Sequence, residues 1–134
     1  MPGGPVLAFS TLEELDRWRH APKTDPPGIT GEVNRALSEA DCRAARLPPA
    51  LRSLLERIAA ATRAPLVHEL EQEWDSRRSF YRVWAAAISS TPSAFLRRVR
   101  SLHAQRLLAH GLTRKQAAML AGYGSVDAMR RNLA

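Results

Sequence analysis

One cysteine in 134 residues, Cys42, excludes an intrachain disulfide and leaves any metal site with a single thiolate to draw on. The four histidines, His20, His68, His103 and His110, are scattered along the chain with no cysteine or acid at ligand spacing, so neither a metal nor a cofactor is expected. No uninterrupted apolar run approaches the roughly 20 residues that cross a bilayer. The start, Met1-Pro2-Gly3-Gly4, has neither a basic n-region nor a long apolar h-region, and the sequence therefore predicts a soluble, cytoplasmic protein. Period-two alternation and low-complexity tracts are also missing, which removes strands and leaves an all-α chain. Catalytic constellations are missing as well. Ser76 has no base at a readable spacing, Glu69, Glu71 and Glu73 alternate along one helix as its wet side, and Gly122-Tyr123-Gly124 follows no strand and is too short to cradle phosphate. The chain does not read as an enzyme.

Acid is the scarcest component of the second half. Up to residue 75 there are nine Lys+Arg against twelve Asp+Glu, a net of −3; from Ser76 onward there are eleven against one, Asp127, a net of +10. A segment so one-sided repels itself on folding, which points to a polyanion or acidic surface outside the chain. Nucleic acid, an anionic membrane and an acidic protein all fit that description. Membrane adsorption needs an exposed apolar face, and these helices spend theirs on a core.

What is present is helical periodicity. Residues 1–46 read as an arm, with a short helix over Thr11–Trp18, a Pro/Gly-rich loop through Gly28, and a second short helix over Gly31–Ala45. Residues 47–134 read as the main domain. Pro48-Pro49 open a helix with Leu51, Leu54, Leu55 and Ile58 on one face, and Leu66, Val67, Leu70 and Trp74 make a short second helix. Ser76 caps a third, in which Phe80, Val83, Trp84 and Ala87 turn inward while Arg77, Arg78, Tyr81 and Arg82 turn outward. Thr91-Pro92 start a long helix ending near Gly111, with Arg97, Arg98, Arg100 and Arg106 outside its apolar stripe. A helix over Thr113–Ala121, a turn at Gly122-Tyr123-Gly124 and a last helix from Ser125 complete the chain.

Two helices, a tight turn and a basic outer face on the second helix describe a helix-turn-helix, and the pattern occurs at about 65–88 and again at 112–133. The connector over residues 92–110 would be about 28 Å long at 1.5 Å per residue. Successive major-groove faces of B-DNA lie about 34 Å apart, so a rigid rod of this length suits two reading helices on one side of a duplex.

The stretches "SRRSFYRVW", "TPSAFLRRVRSLHAQRLLAHG" and "LTRKQAAMLAGYGS" resemble the AraC/XylS family of bacterial transcription regulators, whose DNA-binding module has two helix-turn-helix units joined by a linker helix. Ser76, Phe80, Arg82, Trp84, Pro92, Arg100, Ala104, Leu107, Leu108, Gly122 and Tyr123 carry the likeness, which covers roughly residues 49–134. It implies base reading by Arg78, Tyr81 and Arg82 in the first unit and Arg131 in the second, with Arg77, Arg130, Arg97 and Arg98 at phosphates. Two departures stand out. Trp74-Asp75 occupy the first turn where members of the family have glycine, and the likeness runs out at Ala134 before the family's closing helix, as in a truncated or divergent member.

The expected function is transcription regulation through double-stranded DNA, with the 76–88 helix in a major groove and the second unit at 112–134 one turn along. The alternative is an AraC-like interaction protein that binds RNA polymerase or another regulator without reading DNA.

Overall fold

The computed structural model describes residues 28–42 and 47–133, and the helix expected at Thr11–Trp18 lies outside them. All regular structure among the described residues is helical: α1 (Thr30–Glu39), α2 (Pro49–Ala60), α3 (Val67–Glu71), α4 (Arg77–Ala87), α5 (Pro92–Ala109), α6 (Arg114–Ala121) and α7 (Val126–Leu133).

Local chemistry fixes most of the starts. Ser76 Oγ accepts from the Ser79 amide at 3.0 Å, and Thr91 Oγ1 accepts from the Ala94 amide at 3.1 Å with Pro92 in the first helical position. Thr113 and Gln116 close a reciprocal capping box, each side chain accepting from the other's amide at 3.1 and 3.0 Å. Each cap satisfies a helix-end donor, worth about 1 kcal/mol.

The ends are where sequence spacing says least. The helix expected through Ala45 stops at Glu39, because Asp41 takes a left-handed conformation (φ 55°) and the Cys42 amide bonds back to the Leu37 carbonyl at 2.9 Å. The second short helix also ends early, at Glu71. Trp74 therefore sits in the following turn, its ring centroid 5.7 Å from that of Phe80.

Two cores share α5. The larger joins Ile29, Val33, Ala36 and Leu37 around α1, Leu51, Leu54, Leu55 and Ile58 of α2, Leu70 of α3, Phe80 and Trp84 of α4, and Phe95, Leu96 and Val99 from the start of α5. The smaller joins Ala104 and Leu107 at the other end of α5 to Ala117, Ala118 and Ala121 of α6 and Met129 of α7. Alanine at four of those six positions lets α5 and α6 approach closely. A helix that enters two cores must be apolar on more than one side, which accounts for the loose stripe of α5.

Segment 28–42 thus packs with the helices that follow residue 47. The Ile29 amide bonds to the Ala59 carbonyl at 2.8 Å, and a Cβ on Gly28 would lie 2.7 Å from that oxygen. Only glycine permits the approach. Two ion pairs tie α1 across to α5. Arg98 meets Glu39 with two hydrogen bonds of 2.7 and 2.9 Å, and Arg106 Nε lies 2.8 Å from the buried carboxylate of Glu32. Burial raises the Glu32 pKa and Arg106 opposes that rise, whereas the Arg98 hydrogen bond lowers that of Glu39.

His103 is fully buried on α5, neither ring nitrogen has a hydrogen-bond partner among the described residues, and burial and then Arg106 push its pKa down to about 4. The unfolded chain therefore takes up its proton first as pH falls, near 6.5. This residue's contribution is intact above that value and is lost progressively down to pH 4, by about 3 kcal/mol. Glu32, with its raised pKa, has the opposite sign, favouring the folded state as pH falls toward its ordinary range. Urea unfolding at pH 7 and pH 4 separates them: His103→Leu is expected to lose about 3 kcal/mol less stability over that interval than the parent chain. An unchanged difference would show that His103 takes no part in the acid limb.

Candidate nucleic-acid interface

The first unit consists of α3, the turn over residues 72–75, and α4. Its inner side is aromatic. Phe80 and Trp84 are buried, their centroids 5.9 Å apart, and Trp84 meets Phe95 of α5 edge-on at 5.2 Å. The Trp84 indole N–H donates to the Ser90 carbonyl at 2.6 Å. These contacts bolt α4 to the linker helix by one face and leave the opposite face outward.

That outward face is not uniform. Arg78 and Arg82 are exposed and have no hydrogen bond or ion pair among the described residues. Arg77, although 78% exposed, places Nε 2.7 Å from Glu71 Oε2, and the Tyr81 hydroxyl donates to Glu71 Oε1 at 3.4 Å. Glu71 is only 16% exposed, so the expected wet side of α3 instead supplies a half-buried anchor. Its neighbours are tethered too: Glu73 pairs with Arg57 of α2 at 2.8 Å, and Glu69 accepts from the Leu66 amide at 3.0 Å.

On α5, of the four arginines expected outside the apolar stripe, only Arg97 is exposed as a whole residue, and it has no partner among the described residues. Arg98 is held by Glu39 and Arg106 by Glu32. Arg100 joins the two units: Nη2 donates to the Pro65 carbonyl at 3.2 Å, while its guanidinium carbon lies 5.9 Å from the centroid of the Tyr123 ring. Sequence spacing offered no sign of these tethers, since their partners lie on other elements.

The second unit consists of α6, the turn Gly122-Tyr123-Gly124, and α7. Gly122 has φ 94°, which favours glycine, and a Cβ there would meet Arg63 Cδ at 3.3 Å. The Tyr123 amide bonds back to the Ala118 carbonyl at 2.9 Å, and its hydroxyl donates to Asn132 of α7. Burial raises the Tyr123 pKa and Arg100 opposes the rise. Arg131 is exposed and has no partner among the described residues, and Arg130 lies 3.9 Å from Asp127, both side chains well exposed.

Of the residues expected to read or hold nucleic acid, Arg78, Arg82, Arg97 and Arg131 are therefore free among the described residues, Arg130 is loosely paired, and Arg77, Tyr81 and Arg98 are engaged. Arg114 and Lys115 at the start of α6 are also exposed and without a partner among the described residues, a pair not expected from the sequence pattern. Their place in the first turn of a helix beginning at a capping box was the available signal.

A family described as a helix-turn-helix domain matches residues 76–134, from the cap of α4 through α7. No curated protein and no solved structure matches the chain.

Proposed function

Because residues 76–134 are a helix-turn-helix domain of the AraC type, a DNA-binding unit of transcription regulators, we propose that the chain reads duplex DNA by laying α4 in a major groove and α7 in the next. The observation that carries this reading is the sorting on α4. One face is fixed by Phe80 and Trp84, and the other presents two unpaired arginines one helical turn apart, Arg78 and Arg82. A guanidinium can give two parallel hydrogen bonds to guanine O6 and N7, which is the commonest base-specific contact. The second reading helix contributes Arg131. Arg97 on the linker helix and Arg130 would hold phosphates in this scheme.

The spacing supports the same reading. At 1.5 Å per residue the 18 residues of α5 span about 27 Å, somewhat less than the rise of about 34 Å between successive groove faces. The protein acts in the bacterial cytoplasm in this scheme and requires no cofactor.

Arg82→Ala is expected to cost about 1–3 kcal/mol on the preferred duplex and to relax preference at one base pair. Competition with singly substituted duplexes measures it. Equal weakening on every duplex would make Arg82 a phosphate contact and not a reader. A partner such as RNA polymerase or another regulator, copurifying with a chain that shows no duplex binding, would favour the alternative of an interaction protein.

A further inference from the structure

Glu71 is the last residue of α3, and both groups it holds belong to α4: Arg77 at 2.7 Å and the Tyr81 hydroxyl at 3.4 Å. It therefore spans the turn of the first unit and acts on the face that would meet DNA. We infer that Glu71 is a positioning residue of that face, keeping Arg77 as its counter-ion and accepting the Tyr81 hydrogen bond so that neither engages phosphate. This inference rests on the reading of α4 as a DNA-reading helix and deepens it.

The asymmetry of the pair carries the argument. Arg77 is 78% exposed and could swing away at little cost, but Glu71 is 16% exposed and cannot follow it. Pulling Arg77 onto a phosphate would leave a half-buried carboxylate unpaired beside a polyanion, which is costly on both counts. Arg77 therefore stays. While its O–H donates to Glu71, the Tyr81 hydroxyl oxygen can accept from adenine N6 or cytosine N4, and its ring can pack on a thymine methyl. Its single O–H is then not directed at a phosphate oxygen. Non-selective attraction is reduced, and Arg78 and Arg82 remain as the free arginines of α4.

The test compares the full chain with Glu71→Gln, Glu71→Ala and Glu71→Gln/Arg77→Ala on a selected duplex and a random duplex, titrated from 50 to 300 mM salt. Glutamine preserves the acceptor for Tyr81 but not the charge that holds Arg77. The expected result for Glu71→Gln is a salt slope steeper by about one, the increment for one more neutralised phosphate, with random-duplex binding about tenfold tighter at 50 mM. Adding Arg77→Ala should return the slope to its original value. Glu71→Ala, which also frees the Tyr81 O–H to donate elsewhere, should alter base preference at one position where Glu71→Gln does not.

A slope unchanged in Glu71→Gln, with helix content and melting temperature preserved, overturns the inference, because a residue that merely staples the turn would leave the salt slope alone. Absence of salt-dependent duplex binding by the parent chain overturns the DNA-reading function itself, a result separable from failure of the Glu71 variants.

Discussion

Raising salt from 50 to 200 mM is expected to weaken duplex binding by on the order of a thousandfold. The number follows from the cations left free on the basic half of the chain. Among the described residues from 76 onward, Arg78, Arg82, Arg97, Arg114, Lys115 and Arg131 are exposed and have no partner. The other arginines of that half are committed: Arg77 to Glu71, Arg98 to Glu39, Arg100 to Pro65, Arg106 to Glu32 and, more loosely, Arg130 to Asp127. If about six contacts each release a counter-ion, the logarithmic slope is about −5, and a fourfold change in salt removes about three decades of affinity. A nitrocellulose or anisotropy titration at four salt concentrations gives the slope directly. A slope near −9 would mean that DNA breaks the internal ion pairs, and one near −1 would mean that the basic half does not lie along a duplex.

Trp84→Ala is expected to lose about 3–5 kcal/mol of folding stability. Trp84 is 1% exposed, meets Phe95 edge-on and the tilted ring of Phe80, and donates its indole N–H to the Ser90 carbonyl at 2.6 Å. Truncation would remove the aromatic bridge between α4 and α5, leave a cavity in the larger core and orphan that carbonyl. Duplex binding should fall with it, because α4 would no longer be held at a fixed angle to the linker helix. Trp84→Phe separates the two contributions, keeping most of the ring contact and giving up the hydrogen bond, which is worth about 1 kcal/mol. Urea unfolding followed by far-ultraviolet circular dichroism reads both variants. A loss below about 1 kcal/mol in Trp84→Ala would contradict the packing described for α4.

The two helix-turn-helix units were legible because their signals are local. Ser76, Thr91 and Thr113 each cap a helix through a donor three residues on, and Phe80 and Trp84 share a face because they are four apart. The alternation of buried aromatic and exposed arginine on α4 follows from the same periodicity. Helix ends were read less well. Neither a left-handed Asp41 nor the early end of α3 at Glu71 leaves a distinctive residue such as glycine or proline at the stop.

The fate of the arginines was hidden for a different reason. Arg98 and Glu39 are 59 positions apart, and Arg106 donates to the Gly28 carbonyl 78 positions away, so no spacing on either helix anticipates the contact. An arginine on the polar side of a helix looks the same in sequence whether solvent, a phosphate or an acid from another helix lies opposite. Glu71 shows the converse case. Placed between Glu69 and Glu73 it reads as one more solvated acid, yet the turn folds it onto α4, where it meets Arg77 and Tyr81.

The measurement that tests the account most directly is selection from a random duplex library by the purified chain and by its Arg78→Ala/Arg82→Ala double mutant, at two salt concentrations. One enriched motif is expected with the parent chain, with its loss or degeneration in the double mutant and helix content preserved in both. Salt-sensitive binding with no enriched motif, or the same motif from both proteins, would contradict the claim that α4 reads sequence through these two arginines.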